Sequence, residues 1–352
     1  MTEKRECIMN KECQRKALAY IIIILMPISL LISCKNQINE EDSLKEGIRL
    51  VFQVMVNEAI DFETGNKIEI LRDSFNERKI DFERILEGES GQFTIEGISP
   101  VQEMEIKAVI DNKCPDWNYS FNQNVVTLSL KSEAAEYIKN LSFDQTFAAL
   151  RKRLEELRIK KAIIKKHEEK ADHIIIELPP LEYIDRIISI IKTTAHLEIK
   201  EVRGGPAQSK EMLLEMNAGE VPDGCEVLQG DPKKADGDYY LVNRVPVISG
   251  RDIKESQKDV DSYNMPAVLF VLTEEGAEKF SHFTKENIGK SLAIVLDGKI
   301  YSAPTIQDVI SERGMINGNF TDEEAEDLAL VLRAGALPVS IKLIEEKEIR
   351  PS

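Results

Sequence analysis

Hydrophobic positions fall into three rhythms along the chain, and each predicts a different kind of element. Residues 17–33 (ALAYIIIILMPISLLIS) are a continuous apolar block without a charge, the one stretch of membrane length. From Gly47 to about Leu130 short runs alternate: GIRLVFQVMV and QFTIEGI read as strands, the segments around IEILRDSFNERK and EMEIKAVI as helices, and the order predicts an α+β unit that begins with a strand. Ser142 followed three residues later by Gln145 has the form of a capping box, and Phe143, Phe147, Leu150, Leu154 and Leu157 then recur at helical spacing, predicting a helix from about 143 to 157. AIIKKH and HIIIELPP, separated by a polar EEKAD, read as a hairpin stopped by Pro179 and Pro180. Tyr183, Ile184, Ile187, Ile188 and Ile191 line one helix face before the strand HLEIKEV. An α-β-β-α-β order with apolar faces on both kinds of element points to a ferredoxin-like unit.

Gly204, Gly205 and Pro206 break that pattern and open a second subdomain. Its segments are YYLVNRVPVIS, the strand AVLFVL, the helix TEEGAEKFSHFTKENIG and the hairpin SLAIVL–DG–KIYSAP, where Asp297 and Gly298 form a type I′ turn signal. The strand MINGNF follows. Thr321 with Glu324 is a second capping box, opening a helix that ends at Gly335 ahead of the final strand VSIKLIEEKEI.

The apolar block changes where this body sits. Lys11, Arg15 and Lys16 precede it, which keeps the N-terminus inside and sends the remaining chain across the membrane. Its length lies between a short bilayer span, ~17–25 residues, and a signal-peptide core, ~7–15 residues. The end of the block, Leu31-Ile32-Ser33-Cys34, resembles the lipobox of bacterial lipoproteins, which implies cleavage before a lipidated Cys34; the alternative is an uncleaved anchor. Residues 1–34 are therefore a signal peptide or a membrane anchor, and the body faces the envelope. Cys114 and Cys225 are the thiols left in that body, either paired in an oxidising compartment or buried and free.

Charge and motifs remove several functions. A formal net charge of -16 opposes the phosphate backbone, so no nucleic-acid partner is expected. The four histidines include no pair at i, i+4, and no paired CxxC, GxGxxG, GxSxG or HExxH is present, so neither metal, cofactor nor catalytic residue is expected and an enzyme is the least supported class. Gly289-Lys290-Ser291 lacks the first glycine of a phosphate loop, since Thr284 stands in its place. The acidic run from Asp322 to Asp327 reads as a complement to the helix dipole, and His282 as an exposed residue of an amphipathic helix. Phe270, Phe280 and Phe283 are candidates for a surface that binds apolar polypeptide; the competing reading is that they fill a core.

Longer motifs carry a resemblance. ISGRDI, LTEEGAEKF, TKENIGKSLAIVLDGKIYSAPTIQ, INGNFTDEEAEDLALVLRAGALPVSIKLIEE and RPS, with ALRKRLEELRIKKAIIKKH, HIIIELPP and TTAHLEIKEV upstream, resemble the first periplasmic domain of the SecD export-motor family. The resemblance implies a ferredoxin-like base from 142–203 and 321–350, carrying an inserted α+β head at 204–320; residues 44–132, which match the family more weakly, are set apart by their own pattern as an N-terminal α+β subdomain. It implies as partners exported polypeptides, held by a mobile head, and the Sec channel with a complete SecD–SecF pair. Gly250, Asp297, Gly298, Arg333 and Gly335 match family motifs, and their expected role is structural, the glycines serving positive φ or tight turns. The chain departs from the family at LKEGIRLVF, which lacks the double glycine, and at Leu178-Pro179-Pro180. It stops at Ser352, where the family enters its remaining membrane helices, so no proton-driven motor of its own is expected. The expected location is the inner membrane with the body on the periplasmic side. A lipidated Cys34 followed by Lys35 permits the outer membrane and a lipoprotein that keeps the fold as an interaction module; a fragment of a longer gene is the further alternative.

Overall fold

The computed structural model describes residues 44–350 apart from 218, 223 and 233–236. The signal or anchor segment and Cys34 lie outside the described residues. In chain order, β1 (Gly47–Val54) leads into α1 (Asn57–Arg78), β2 (Arg84–Glu87), β3 (Gln92–Glu96), α2 (Glu103–Lys113), β4 (Trp117–Asn122) and β5 (Val125–Leu130). Next come α3 (Ser132–Glu156), β6 (Ile163–Lys166), β7 (His173–Leu178) and α4 (Ile184–Lys192). The following stretch holds β8 (Leu197–Ala207), α5 (Lys210–Glu215), β9 (Cys225–Gln229), β10 (Tyr239–Asn243), β11 (Ile248–Ser249), β12 (Ile253–Val260) and β13 (Pro266–Leu272). After α6 (Glu274–Glu286), β14 (Leu292–Leu296), β15 (Lys299–Ser302) and β16 (Arg313–Ile316), the chain returns through α7 (Asp322–Ala334) to β17 (Ile341–Ile349).

The α+β class and the ferredoxin-like base are present, and the final strand of segment 321–350 lies in the base sheet as expected; the base differs in taking β1 as a strand and in leaving HLEIKEV to the head. Its antiparallel sheet runs β17-β1-β7-β6, and α3 and α4 supply the two helices. Residues 47–54, assigned above to the N-terminal subdomain, are thus a central base strand. Leu50, Phe52 and Val54 alternate into the base core beside Ile174, Ile176 and Leu178, and strand alternation alone does not say which sheet a strand will join. Gly47 sits against β7 so closely that a Cβ would lie 2.0 Å from the Leu178 carbonyl oxygen, with φ at +146°. The strand HLEIKEV, expected to close the base, runs on as β8 through Gly204 and Gly205 and pairs with β14, β10 and β11 in the head. Its alternating Leu197 and Ile199 find their apolar neighbours there.

The N-terminal subdomain is therefore an insertion between β1 and α3. Four strands in the order β2-β3-β5-β4 carry α1 and α2 on one face, over a core of Phe93, Ile95, Val126 and Leu128. In the head, β15-β14-β8-β10-β9 curls until Gly230 bridges Ile300, closing a barrel around Val242, Ala293, Val295 and Ile300. A second head sheet, β12-β13-β16, packs with α6 and α7 on Phe270, Phe280 and Phe320. α7 is buried at Leu328, Ala329, Leu330, Val331 and Leu332 in succession, as a helix covered from more than one side must be.

Cys114 and Cys225 are free thiols, buried in separate cores. Burial pushes the Cys114 thiol up to about 11, with the nearby Lys67 opposing and Glu63 adding to the shift. Both are expected to resist a thiol-alkylating reagent at pH 8 until the chain is unfolded; stoichiometric labelling of the folded protein by mass spectrometry would overturn this.

Candidate functional site: the base–head junction

The head hangs on two chain crossings, α4 to β8 and α7 to β17, and one side chain holds both. Arg153, in the last turns of α3, is fully buried. Its guanidinium donates to the carbonyls of Ile190 (3.0 Å), Ile191 (2.9 Å) and Thr193 at the end of α4, and to Gly335 (3.2 Å) just past α7. Helices leave their last carbonyls without intrahelical partners, so a buried cation here satisfies acceptors that are buried at Ile190 and Ile191 and part-buried at Thr193 and Gly335. Burial lowers the Arg153 pKa to about 10, with the Asp297 charge acting the other way, so the side chain remains protonated at neutral pH. The crossings also bond each other, Leu337 N–H donating to the Thr194 carbonyl at 2.8 Å.

Four of the five motif residues converge on this joint. Asp297 (φ 50°) and Gly298 (φ 76°) form the β14–β15 turn, and the Asp297 carboxylate accepts from His196 N–H (2.8 Å) and from the Thr194 hydroxyl, tying head turn to crossing. Arg333 donates to Glu156 on α3 (3.1 Å) and to the Ser256 carbonyl on β12 (2.8 Å), while Lys152 donates to the Arg333 carbonyl. Gly335 has a φ of +99°, which ends α7 and turns the chain toward β17. Gly250 lies apart, opening a short 3-10 turn capped by Ser249 and Asp252, and it does not need a positive φ. Phe270 and Phe280 fill the head core at 2% exposure each, and Phe283 packs half-buried against that core, so the three do not form an open aromatic surface. His282 is exposed, with Nε2 3.6 Å from Glu286.

A cleft of about 260 Å³ opens beside the joint. Ile190 of α4 and Thr193 just past it form one wall, Leu296, Tyr301 and Phe320 of the head another, and Leu328 of α7 the floor. Tyr301 and Phe320 stack with centroids 5.9 Å apart. Glu324 and Asp327 supply an acidic rim, Asp327 holding Arg186 of α4 through a bidentate pair at 2.7 and 3.1 Å. That hydrogen bond, and then the neighbouring Asp327, Glu323 and Glu326 charges, raise the Arg186 pKa although burial opposes it. Glu324 caps α7 from Thr321, and Asp322 pairs with Lys258, so the acidic run is spent on structure. Sequence reasoning missed Arg153, yet a signal was there: at three residues past Leu150 it falls on the apolar stripe of its helix, where an arginine must find buried acceptors.

Residues 226–339 match the family model for the SecDF P1 head subdomain, and residues 143–204 match that for the N-terminal part of the P1 domain of protein translocase subunit SecDF. The chain belongs to the SecD family. Among curated SecD subunits, that of Koribacter versatilis is 32% identical over 324 residues, covering 90% of this chain and 60% of the relative. That of Aquifex aeolicus is 33% identical over 331 residues, covering 94% and 64%. A solved structure of SecDF, described as a membrane component that enhances protein export, is 31% identical, covers 58% of this chain and 91% of that one, and has a TM-score of 0.46. The chain thus spans 60% to 64% of the length of these two SecD subunits. Among the described residues no helix is long and apolar enough to cross a membrane. The SecD head match includes Asp297, Arg333 and Gly335, and the base match includes Arg153 and its acceptors on α4, so the joint is built from both matched segments.

Proposed function

We propose that this chain assists protein export as a non-enzymatic, envelope-facing SecD-type module, held to the membrane by its N-terminal segment or a lipid on Cys34, that binds unfolded polypeptide beside the Sec channel. The observation that carries the reading is the cleft at the base–head joint. Its floor is apolar, one wall carries the stacked Tyr301 and Phe320, and its walls come from two bodies whose relative position the Arg153 crossings fix. Such a site suits apolar side chains of an extended segment.

A photoreactive amino acid at Tyr301, introduced into the protein in growing cells, is expected to capture exported precursors or channel subunits. The same probe at the buried Phe280 is expected to capture neither. Equal, empty crosslinking from both positions in cells that are actively exporting would sink the reading.

A further inference from the structure

The N-terminal subdomain carries a long, uncharged open sheet edge. Among the described residues β4 pairs only with β5, which leaves its other side open. Among the described residues the other outer strands carry charge, apart from the two-residue β11: Arg84 and Glu87 on β2, Lys165 and Lys166 on β6, Lys254, Glu255 and Lys258 on β12, Arg313 on β16, and Glu346, Lys347 and Glu348 on β17. Charges of this kind keep edges from pairing with other chains. β4 reads WNYSFN, without charge or proline.

Register shows what the edge offers. Gln123 (φ 56°) and Asn124 form a two-residue loop between the partners Asn122 and Val125, which makes that pair a hydrogen-bonded one. Alternation then turns Asn118, Ser120 and Asn122 toward β5, and the bond from Lys131 N–H to the Asp116 carbonyl (2.9 Å) continues the same ladder. The N–H and C=O groups of Tyr119 and Phe121 consequently face the open side. Their side chains point toward α2, where Tyr119 O–H donates to Asp111 (3.0 Å) and Lys107 Nζ lies 5.0 Å from the Phe121 ring. Met104, Lys107, Ala108 and Asp111 share that face of α2 at i, i+3, i+4 and i+7. Met104 is 86% exposed and Val101, one turn before it, 92%. An edge strand flanked by a helix face is the layout in which a peptide joins a sheet and lays alternate side chains against the helix.

We infer that the β4 edge and this face of α2 take up an extended polypeptide as a fifth strand of the sheet. The occupant is an unfolded segment with apolar side chains at alternate positions, recognised through its backbone. Charge plays little part, because Lys107 is paired with Glu103 at 2.6 Å and Asp111 accepts from Tyr119. Recognition is therefore tolerant of sequence. A second copy of this chain is a poorer occupant, since each copy brings a net charge of -16. The identity of the occupant as unfolded polypeptide rests on the export reading, but the site lies in a different sheet from the cleft and uses backbone pairing.

The test uses the full-length protein in detergent and a fluorescein-labelled, uncharged 12-residue peptide of alternating Val and Thr, followed by fluorescence anisotropy. A version N-methylated at alternate residues cannot pair on one side, and it is expected to bind about tenfold more weakly or worse, the loss of one or two backbone hydrogen bonds. Phe121→Pro, which removes an outward N–H, and Met104→Glu, at an exposed helix position, are each expected to weaken the plain peptide about tenfold. Circular dichroism and melting verify that the variants fold. Absence of peptide binding, equal binding of both peptides, or unchanged affinity in Met104→Glu overturns the inference, as does a dimer of the wild type that Phe121→Pro dissolves. Tyr301 crosslinking in cells is independent: its loss with peptide uptake intact counts against the cleft reading, and the reverse against the edge.

Discussion

Arg153→Met is expected to lower the thermal midpoint by roughly 6 °C, the equivalent of about 3 kcal/mol at about 2 °C per kcal/mol for a chain of this size. Methionine keeps the unbranched stem and so fills most of the space. What disappears is the donor set. Ile190, Ile191, Thr193 and Gly335 present carbonyls inside the protein, and each left without a donor costs about 1 kcal/mol, partly offset by no longer burying a charge. The damage should be local before it is global. Hydrogen exchange is expected to quicken first at the crossings, in peptides spanning residues 190–197 and 335–339, while the N-terminal subdomain keeps its protection. Arg153→Lys should fall between, because one ammonium can reach only some of acceptors arranged around a planar guanidinium. A methionine variant that melts within 1 °C of wild type, with unchanged exchange at both crossings, would remove Arg153 from its place as the pin of the joint.

The parts of this fold that could be read from sequence are those decided by neighbours along the chain. The Thr321–Glu324 capping box opens α7 with both reciprocal bonds formed, and the Asp297–Gly298 turn joins β14 to β15 with both residues at positive φ. The hairpin of β6 and β7 and the helix with Ile184, Ile187, Ile188 and Ile191 also stand where periodicity puts them. Ser142 shows the limit of the same logic. It has the spacing of a cap, but no glycine or proline interrupts residues 132–156, so α3 is already running and the Ser142 hydroxyl instead donates to the Lys139 carbonyl three residues back. Long-range choices were not legible. β1 joins partners at least 120 residues away, and which sheet receives it depends on what else that sheet lacks. Arg153 finds its acceptors at separations from 37 to 182 residues, and Phe270 and Phe280 go to the core because the β12-β13-β16 sheet needs a filled face under α6 and α7.

Glu177→Gln is expected to cost about 2 kcal/mol at pH 7 and progressively less in acid, measured by urea melts across pH 3 to 7. Glu177 is wholly buried on β7 and accepts from Arg49 Nη2 at 2.7 Å and from the Leu44 backbone N–H at 2.9 Å, with Lys165 3.5 Å away. Glutamine keeps the shape and one acceptor oxygen but removes the charge that balances two cations, of which Arg49 is partly exposed and can recover some hydration. Burial alone would raise the Glu177 pKa. The Leu44 and Arg49 hydrogen bonds and the Lys165 and Arg49 charges outweigh it and hold the carboxyl below the usual range. Because the folded pKa lies under the unfolded one, near ~4.3, the charge contributes its full stability above that value. The contribution is lost as pH falls through the folded pKa. The wild type and Glu177→Gln curves should accordingly lie furthest apart at neutral pH and converge below about pH 4. Asp172 adds to the same slope, since its bonds from Gln53 and His173 also hold it low against the opposing effect of burial. A gap between the two proteins that stays constant from pH 7 to pH 3 would mean that Glu177 matters for its shape and not for its charge.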